Sequence, residues 1–371
     1  MTALTIDDMY AHVRGVCFKN GPPGRVGAET EWLVVDPADP KARVPLQRLR
    51  EALRLPLPCG SHVTFEPGGQ LELSSLPQSG PAALCDALEE DLAQTRARLP
   101  GLELSGYGVD PVRSPLMQLD DPRYTSMGEY FGDLTMMCTT ASVQVCLDIG
   151  ENPVAATRRW RLAHAMGPVL VAAFANSPLQ AGRRTGWKST RQAIWSRMDR
   201  SRTTAPVGDD PVEAWLTYAL DARVMLIRDP WTTDPGMTFR EWMRSGSPTI
   251  DDLGYHLSTL FPPVRPQGWF ELRMIDALPE PYWRVPVAVA AALLDMVPDE
   301  AEAATEPVAG RWAIAARDGL ADPLLGQAAL RSFEAAAGAL DGPLRTLVEE
   351  YADRYVTRGR CPADEEFAWT R

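Results

Sequence analysis

The sequence predicts an α+β protein built on a curved antiparallel sheet, and two observations carry that prediction. Strand-like stretches laden with polar residues come early and in the middle, whereas helical patterns cluster late, without the alternation of a doubly wound sheet. Four of those stretches have a side-chain period of two that sets charged or amide residues on one face and largely apolar residues on the other.

Taken in order, Arg25 to Asp36 puts Glu29 and Glu31 on one face and Ala28, Thr30 and Trp32 on the other. From His62 to Ser75, Glu66 and Glu72 flank a Pro67-Gly68-Gly69 break, with Gln70, Glu72 and Ser74 on a shared face. Pro81 to Leu99 reads as an amphipathic helix with Leu84, Leu88, Leu92 and Leu99 on its apolar side. In Thr140 to Ile149 the alternation is strict: Thr140, Ser142, Gln144, Cys146 and Asp148 oppose Ala141, Val143, Val145, Leu147 and Ile149. Helical patterns follow at Asn152 to Asn176, Pro211 to Ile227 and Thr238 to Arg244, the last opened by a capping box of Thr238 and Glu241. Trp269 to Asp276 sets Glu271 and Arg273 side by side on one face. Beyond Asp276 the chain is mostly helical to Val356, with Pro281 near one helix start and Gly342-Pro343 separating two others. Asp36 to Pro45, Pro206 to Pro211 and Arg228 to Pro235 are rich in Pro, Asp and Gly and read as surface loops, none long enough to mark a domain boundary.

Hydrophobic residues make up 45% of the chain, enough for a substantial core. A formal charge of −12 argues against nucleic acid as a partner, because binding a phosphate backbone needs a basic surface. Lysine occurs only at Lys19, Lys41 and Lys188, so the positive charge is arginine, whose planar fork suits phosphate and carboxylate. Met1 to Tyr10 holds two aspartates and no apolar run, unlike a signal peptide. The longest apolar run, Met166 to Ala175, is interrupted by Gly167 and Pro168 and is too short to span a bilayer. A cytoplasmic protein with no membrane association is expected. Six cysteines, at 17, 59, 85, 138, 146 and 361, form no C-x-x-C pair and no zinc spacing, so reduced thiols are expected.

The polar strand faces assemble five carboxylates, Glu29, Glu31, Glu66, Glu72 and Glu271, with Arg273. Like charges this close cost free energy unless a cation neutralises them, so the pattern points to divalent metal and phosphate. Glu29 and Glu31 are roughly 7 Å apart on a strand that rises about 3.3 Å per residue. Taken alone they read equally as solvent-facing acids on an edge strand, but Val26, Leu33, Val34 and Val35 make the strand an interior one. Glu66 and Glu72 meet across a turn, and Glu271-Leu272-Arg273 sets a fixed positive fork beside an acid; the plainer readings are a hairpin with incidental acids and an ordinary ion pair. Between Arg183 and Arg202, bases interleave with Trp187 and Trp195, and Arg191 and Arg202 are candidate contacts for an anionic small molecule such as a nucleoside triphosphate. Arg123, at the head of a loop after Asp120-Asp121-Pro122, is a further candidate, with a capped turn as its alternative. No G-x-S-x-G, P-loop or G-x-G-x-x-G is present, and the four histidines lack metalloprotease spacing.

The stretches FEPGGQLELSS, DPRYTSMGEYF, MMCTTASVQVCLD, RQAIWSRMDRSRT and WFELRMIDALP, in this order, resemble the glutamate–cysteine ligases within the glutamine synthetase-like carboxylate–amine ligases. The branch is the one shared by plants and many bacteria, nearest to the actinobacterial enzymes of ergothioneine synthesis. The resemblance runs from about Gly24 to Asp295. It implies a single catalytic domain over 1–371, with a glutamine synthetase-like sheet core at about 24–295 and a helical C-terminal portion at about 281–371. It implies ATP-dependent joining of the L-glutamate γ-carboxylate to the amine of L-cysteine through a γ-glutamyl phosphate. Glu29, Glu31, Glu66, Glu72 and Glu271 would hold two or three Mg²⁺ or Mn²⁺ ions. Arg273 and Glu271 would be catalytic. Gln144, Arg123, Arg191, Trp195 and Arg202 would contact nucleotide or substrate, with Gln144 where related ligases often place His. The oligomeric state stays open. Another amine acceptor, a metal-dependent hydrolase of an anionic substrate and a binding protein on a degenerate ligase fold are the other readings.

Overall fold

In the computed structural model residues 4–21, 24–206 and 208–365 are described. The start of the Met1 to Tyr10 reading and one position of the Pro206 to Pro211 loop lie outside them. Among the described residues there are eleven strands: β1 Val26–Val35, β2 His62–Phe65, β3 Leu71–Ser74, β4 Glu103–Ser105, β5 Ser142–Asp148, β6 Leu179–Gln180, β7 Arg183–Arg184, β8 Leu226–Arg228, β9 Trp231–Thr233, β10 Val264–Pro266 and β11 Trp269–Asp276. Seven make the main sheet, in the order β10-β11-β5-β1-β3-β2, with β4 also on β1. Every pairing in it is antiparallel. Burial agrees with this order: β1, in the interior of the sheet, is buried along nearly its whole length.

That apolar face, with Ala28, Trp32, Val143, Val145, Leu147, Leu71, Leu73, Phe270 and Leu272, belongs to the principal core. The Pro153–Ala173, Pro81–Arg98 and Arg284–Ala291 helices pack against it. Trp160 from the first of these meets Phe18 and Phe270 edge-on or tilted, at 5.5 and 5.6 Å between ring centres. Each helix begins as its sequence dictates. Asn152 accepts from the Ala155 amide, and Pro81 stands at the first turn of its helix, where no amide partner is needed. Thr238 and Glu241 form the expected capping box on Phe239–Ser245.

One stretch departs from its expected form. The helix from Pro211 stops at Asp221, and Leu226–Arg228 pairs instead with Trp231–Thr233 as a hairpin. Apolar periodicity could not separate a helix end from a buried strand there, because both are short. The His62 to Ser75 stretch is two strands joined by a turn, in which Glu66 N–H donates to Gln70 O at 2.9 Å and Gly69 N–H to Glu66 O at 2.8 Å. Gly69 has φ +88°, and a Cβ on Gly68 would lie 2.2 Å from the Cys138 carbonyl oxygen. Gln118 N–H donates to Pro67 O at 2.7 Å, so the turn is clamped from above as well.

Gly68→Ala is therefore expected to lower stability by about 2 kcal/mol or more, since the obstructing atom is backbone and cannot rotate away. Urea denaturation checks this; an unchanged midpoint would show that the turn has room.

Candidate functional site

The registers of the sheet bring the predicted side chains together. Glu29 lies opposite Gln144 on β5 and Ser74 on β3, Glu31 opposite Glu72, and Glu271 opposite Cys146 and Arg265. Because side chains alternate, these pairings stack the acids of three strands on the face turned away from the principal core. On β1 the same face continues as Leu33 and Val35, which join a small separate cluster with Ala141 and Ala277 and close that end of the site.

Above the acids lies a cavity of about 380 Å³. Its floor is Glu29, Glu31, Glu66, Glu72, Gln144 and Arg273, and its far walls include Arg123, Tyr124, Arg191, Trp195 and Phe261. Much of the roof comes from a methionine-rich cluster, with Met127, Met136 and Met137 lining the cavity. A larger groove on the outside, lined by Val154, Arg158, Glu302 and Glu306, has Arg158 paired to Glu302 at 2.7 Å and brings together none of the acids of the sheet face.

Carboxylate oxygens of Glu31, Glu66 and Glu72 all come within 4.8 Å of one another. Hard oxygen donors at that spacing fit a hard divalent cation. Burial, and then the charge of Glu72, push Glu31 up to about 7. Burial, and then Glu271 and Glu72, push Glu29 up to about 8. Burial, with Glu31 and Glu72 beside it, holds Glu66 well above the usual carboxylate range. Glu31 is also held in place, accepting from Ser142 N–H at 2.8 Å, Ser142 Oγ at 3.0 Å and Gln144 Nε2 at 2.9 Å. Glu72 accepts from Thr64 Oγ1 at 2.7 Å.

Glu271 stands apart from this trio. Its carboxylate accepts from Arg265 Nε at 2.6 Å, Arg265 Nη2 at 3.0 Å, Arg273 Nη1 at 2.9 Å and Gln267 Nε2 at 3.2 Å, two donors to each oxygen. Burial alone would raise it, but the two guanidiniums outweigh that and bring it down to about 2. All four lone-pair directions of Glu271 are met in this structure, by two arginines and Gln267. Gln144 connects the two halves: its Nε2 donates to Glu31 and its Oε1 accepts from Arg273 Nη1 at 2.5 Å.

Arg191 and Trp195 sit one turn apart on the Thr190–Arg197 helix and both line the cavity. Arg191 is 3% exposed, and its Nη2 donates to Arg273 O at 2.9 Å. Its Nε and Nη1, and the Trp195 indole nitrogen, are buried without a hydrogen-bond partner among the described residues. Buried donors left open in a cavity are costly unless a ligand meets them. Arg123 lines the same wall but donates to Ser258 Oγ and O, both at 3.0 Å, and lies 5.2 Å above the Tyr255 ring.

Arg202 is a correction. Fully buried and outside the cavity, it donates to Asp199 at 3.0 Å, to Thr259 O at 2.7 Å and to the Arg223 carbonyl, over the Tyr130 ring. Charge interleaved with tryptophan marked it, yet the short Arg200–Thr203 helix turns its side chain into the fold. Sequence reasoning missed Arg265, Gln267 and the roof methionines. The signal for Arg265 was the short turn around Gly268, at φ +86°, between Pro266 and its partner Phe270, which sets Arg265 across from Glu271.

The fold has a solved counterpart: the glutamate–cysteine ligase of Francisella tularensis in complex with AMP matches with a TM-score of 0.55 at 11% identity, over 93% of this chain and 84% of that one. The chain belongs to Glutamate-cysteine ligase family 2 (GCS2), which it matches over residues 25–368. It is 42% identical over 377 residues to the glutamate–cysteine ligase EgtA of Mycobacterium tuberculosis, covering 94% of this chain and 87% of that protein. To the EgtA of Mycolicibacterium smegmatis it is 39% identical over 397 residues, covering 96% and 93%. No helix among the described residues is long and apolar enough to cross a membrane.

The raised carboxyls set a pH dependence. Unfolded, a glutamate titrates near about 4.3. Glu29 and Glu31 titrate in the fold at about 8 and about 7, so between these values the folded state keeps protons the unfolded chain has lost. Metal-free stability contributed by the cluster therefore falls as pH rises through that window. Glu66→Gln is expected to raise the metal-free melting temperature at pH 8 relative to wild type, and to weaken Mg²⁺ binding by at least about tenfold. Thermal melts with and without Mg²⁺ read both; a variant that melts lower without metal and keeps the metal response would overturn the cluster.

Proposed function

We propose that this chain joins the γ-carboxylate of L-glutamate to the amine of L-cysteine at the cost of ATP, giving γ-glutamylcysteine, ADP and phosphate. Its family is that of glutamate–cysteine ligases, and the observation that carries the reading is the convergence of Glu31, Glu66 and Glu72 beneath Arg273 in one cavity. The whole chain acts as a single catalytic domain in this reading, and γ-glutamylcysteine feeds ergothioneine synthesis, as its likeness to the EgtA proteins supports.

A carboxylate is a poor acyl donor until it is phosphorylated. The γ-carboxylate oxygen attacks the γ-phosphorus of ATP, the bond to the bridging oxygen breaks and ADP leaves. The cysteine amine then attacks the acyl carbon, the C–N bond forms, and phosphate departs while the nitrogen gives up its proton. Phosphoryl transfer asks for positioning and charge neutralisation more than for covalent help. Mg²⁺ or Mn²⁺, in two or three ions held by Glu31, Glu66 and Glu72 with Glu29 beside them, would neutralise the phosphate oxygens. Arg273, fixed by Glu271 and Gln144, stabilises the transferring phosphoryl group. Arg191 Nε and Nη1 with the Trp195 indole take the free carboxylate of the amino-acid substrate, the acceptor for which their open donors are suited. Arg123, already bonded to Ser258, shapes the wall beside it.

Cysteine-dependent release of ADP in the presence of Mg²⁺ and L-glutamate, with a product of γ-glutamylcysteine mass, tests the proposal. ATP turnover with a different amine would change the acceptor, and no turnover with any amine would reject a ligase. Arg273→Ala is expected to fold and to lose at least about a hundredfold in kcat. Arg191→Met should raise the KM for L-glutamate by at least about tenfold with a smaller effect on the KM for ATP; steady-state kinetics with each substrate varied separates the two, and equal changes in both constants would remove Arg191 from the amino-acid site.

A further inference from the structure

A second cavity shares a wall with the site. It holds about 330 Å³, a size that suits a small molecule, and is enclosed by the Thr190–Arg197 helix, residues from Arg200 to Ala205, Pro263 and the Trp312–Asp318 helix. Trp187, Trp195 and Trp312 line it, together with Pro263 and three alanines. Trp312 is fixed by close packing on Gly167, where any Cβ would collide with its ring. Trp195 belongs to both cavities, and its ring centre lies 5.5 Å from that of Phe261, which lines the acid cavity.

Most polar groups of the lining are already committed. Ser196 Oγ donates to Ala193 O at 2.9 Å, Thr203 Oγ1 to Asp199 O at 3.1 Å, Thr204 Oγ1 to Arg200 O at 2.8 Å and Gln192 Nε2 to Met274 O at 2.8 Å. No acid lines the cavity among the described residues. Its one charged residue, Arg200, is exposed, and the guanidinium makes no hydrogen bond or ion pair among them. Three indoles present flat apolar surface to a flat apolar body. Indole faces also attract cations, but a cation here would meet Arg200 with no carboxylate to offset it. An unpaired guanidinium beside aromatic walls suits a carboxylate carried on an aromatic ring.

The two helices that enclose this cavity also hold the wall that carries Arg191. Ala316 O, in the Trp312–Asp318 helix, accepts from Lys188 N–H at 3.1 Å and Ser189 N–H at 2.9 Å. Ser189 caps the helix of Arg191 and Trp195, its Oγ accepting from Gln192 N–H at 3.1 Å. A ligand seated between the two helices bears on Trp195 directly and on Arg191 through the cap.

We propose that this cavity is a second binding site, for a planar aromatic carboxylate paired with Arg200, and that its occupancy changes the affinity for L-glutamate through the shared Trp195. The coupling rests on the ligase reading above, which places L-glutamate against Arg191 and Trp195; the site itself does not. Two sites linked in this way affect each other by the same factor, whichever ligand is added first.

Calorimetric titration of the full chain with 2-naphthoate and with neutral 2-naphthamide, in the presence of Mg²⁺ and AMP-PNP, tests the site. Arg200→Glu and Ala313→Glu place an acid on opposite walls at exposed positions, and thermal melts confirm that both variants fold. Each is expected to weaken 2-naphthoate by at least about tenfold while changing 2-naphthamide by less than about twofold, since only the carboxylate meets the altered charge. In wild type, saturating 2-naphthoate should shift the Kd for L-glutamate by at least about threefold and then no further, with the reverse titration giving the same factor. No saturable binding of 2-naphthoate would overturn the proposal, as would unchanged binding in either variant or an unchanged Kd for L-glutamate. Displacement by L-glutamate that grows without limit would put the probe in the acid cavity and overturn it as well. A wild type that binds 2-naphthoate with the expected variant response but never binds L-glutamate would support the site and overturn the ligase reading instead.

Discussion

The face of the sheet is organised by electrostatic crowding. Glu29, Glu31, Glu66 and Glu72 are drawn together on one face, and burial with the charges of their neighbours raises the cost of ionising Glu29, Glu31 and Glu66. A protein stores such an arrangement only where an ion or a ligand will relieve it. Around the cluster, neighbouring groups divide into those that can release protons to a metal and those already committed to arginine. Glu271 belongs to the second kind and stays ionised because two guanidiniums hold it so. Gln144 joins the two sets, with an amide whose donor end faces Glu31 and whose acceptor end faces Arg273.

The crowded face is kept in place from behind and from above. Behind it, an apolar layer from β1, β3, β5 and β11 packs on three helices, so any slip of register by one residue would carry the acids into the core. From above, the Pro67-Gly68-Gly69 turn lies against the Cys138 carbonyl, and Gln70 Nε2 donates to Thr140 O at 2.9 Å, which fixes where Glu66 points. The methionines of the roof make a softer cover, one that can reshape around substrates without backbone movement.

Asp276 ties the sheet to the wall that carries Arg191. At 2% exposed, it accepts from Asn176 N–H at 2.9 Å, Ser177 Oγ at 2.7 Å and Ser189 Oγ at 2.9 Å. Ser177 Oγ in turn accepts from Arg191 N–H at 3.1 Å, and Ser189 Oγ caps the same helix from the Gln192 amide at 3.1 Å. Strand β11 therefore sets Glu271 and Arg273 directly and positions Arg191 through its last residue, so that a single strand relates the Glu271–Arg273 side of the cavity to the Arg191 side.

Much of this was legible in the order of residues. A period of two in β1, β5 and β11 is a local property, and it named Glu29, Glu31, Gln144, Glu271 and Arg273 as one face because alternation leaves no other choice. The family followed from five motifs in order, and the helix starts from their caps. What local pattern could not reach was partnership. Arg202 and Arg191 have similar sequence surroundings, yet one is turned into Tyr130 and Thr259 and the other into the cavity. Nor did periodicity show that Glu271 meets Arg265, a partnership that the β10–β11 pairing makes. Alternation along a strand is determined by the chain's own geometry, whereas the charge that faces a side chain is decided by residues distant in sequence, and only the folded sheet chooses them.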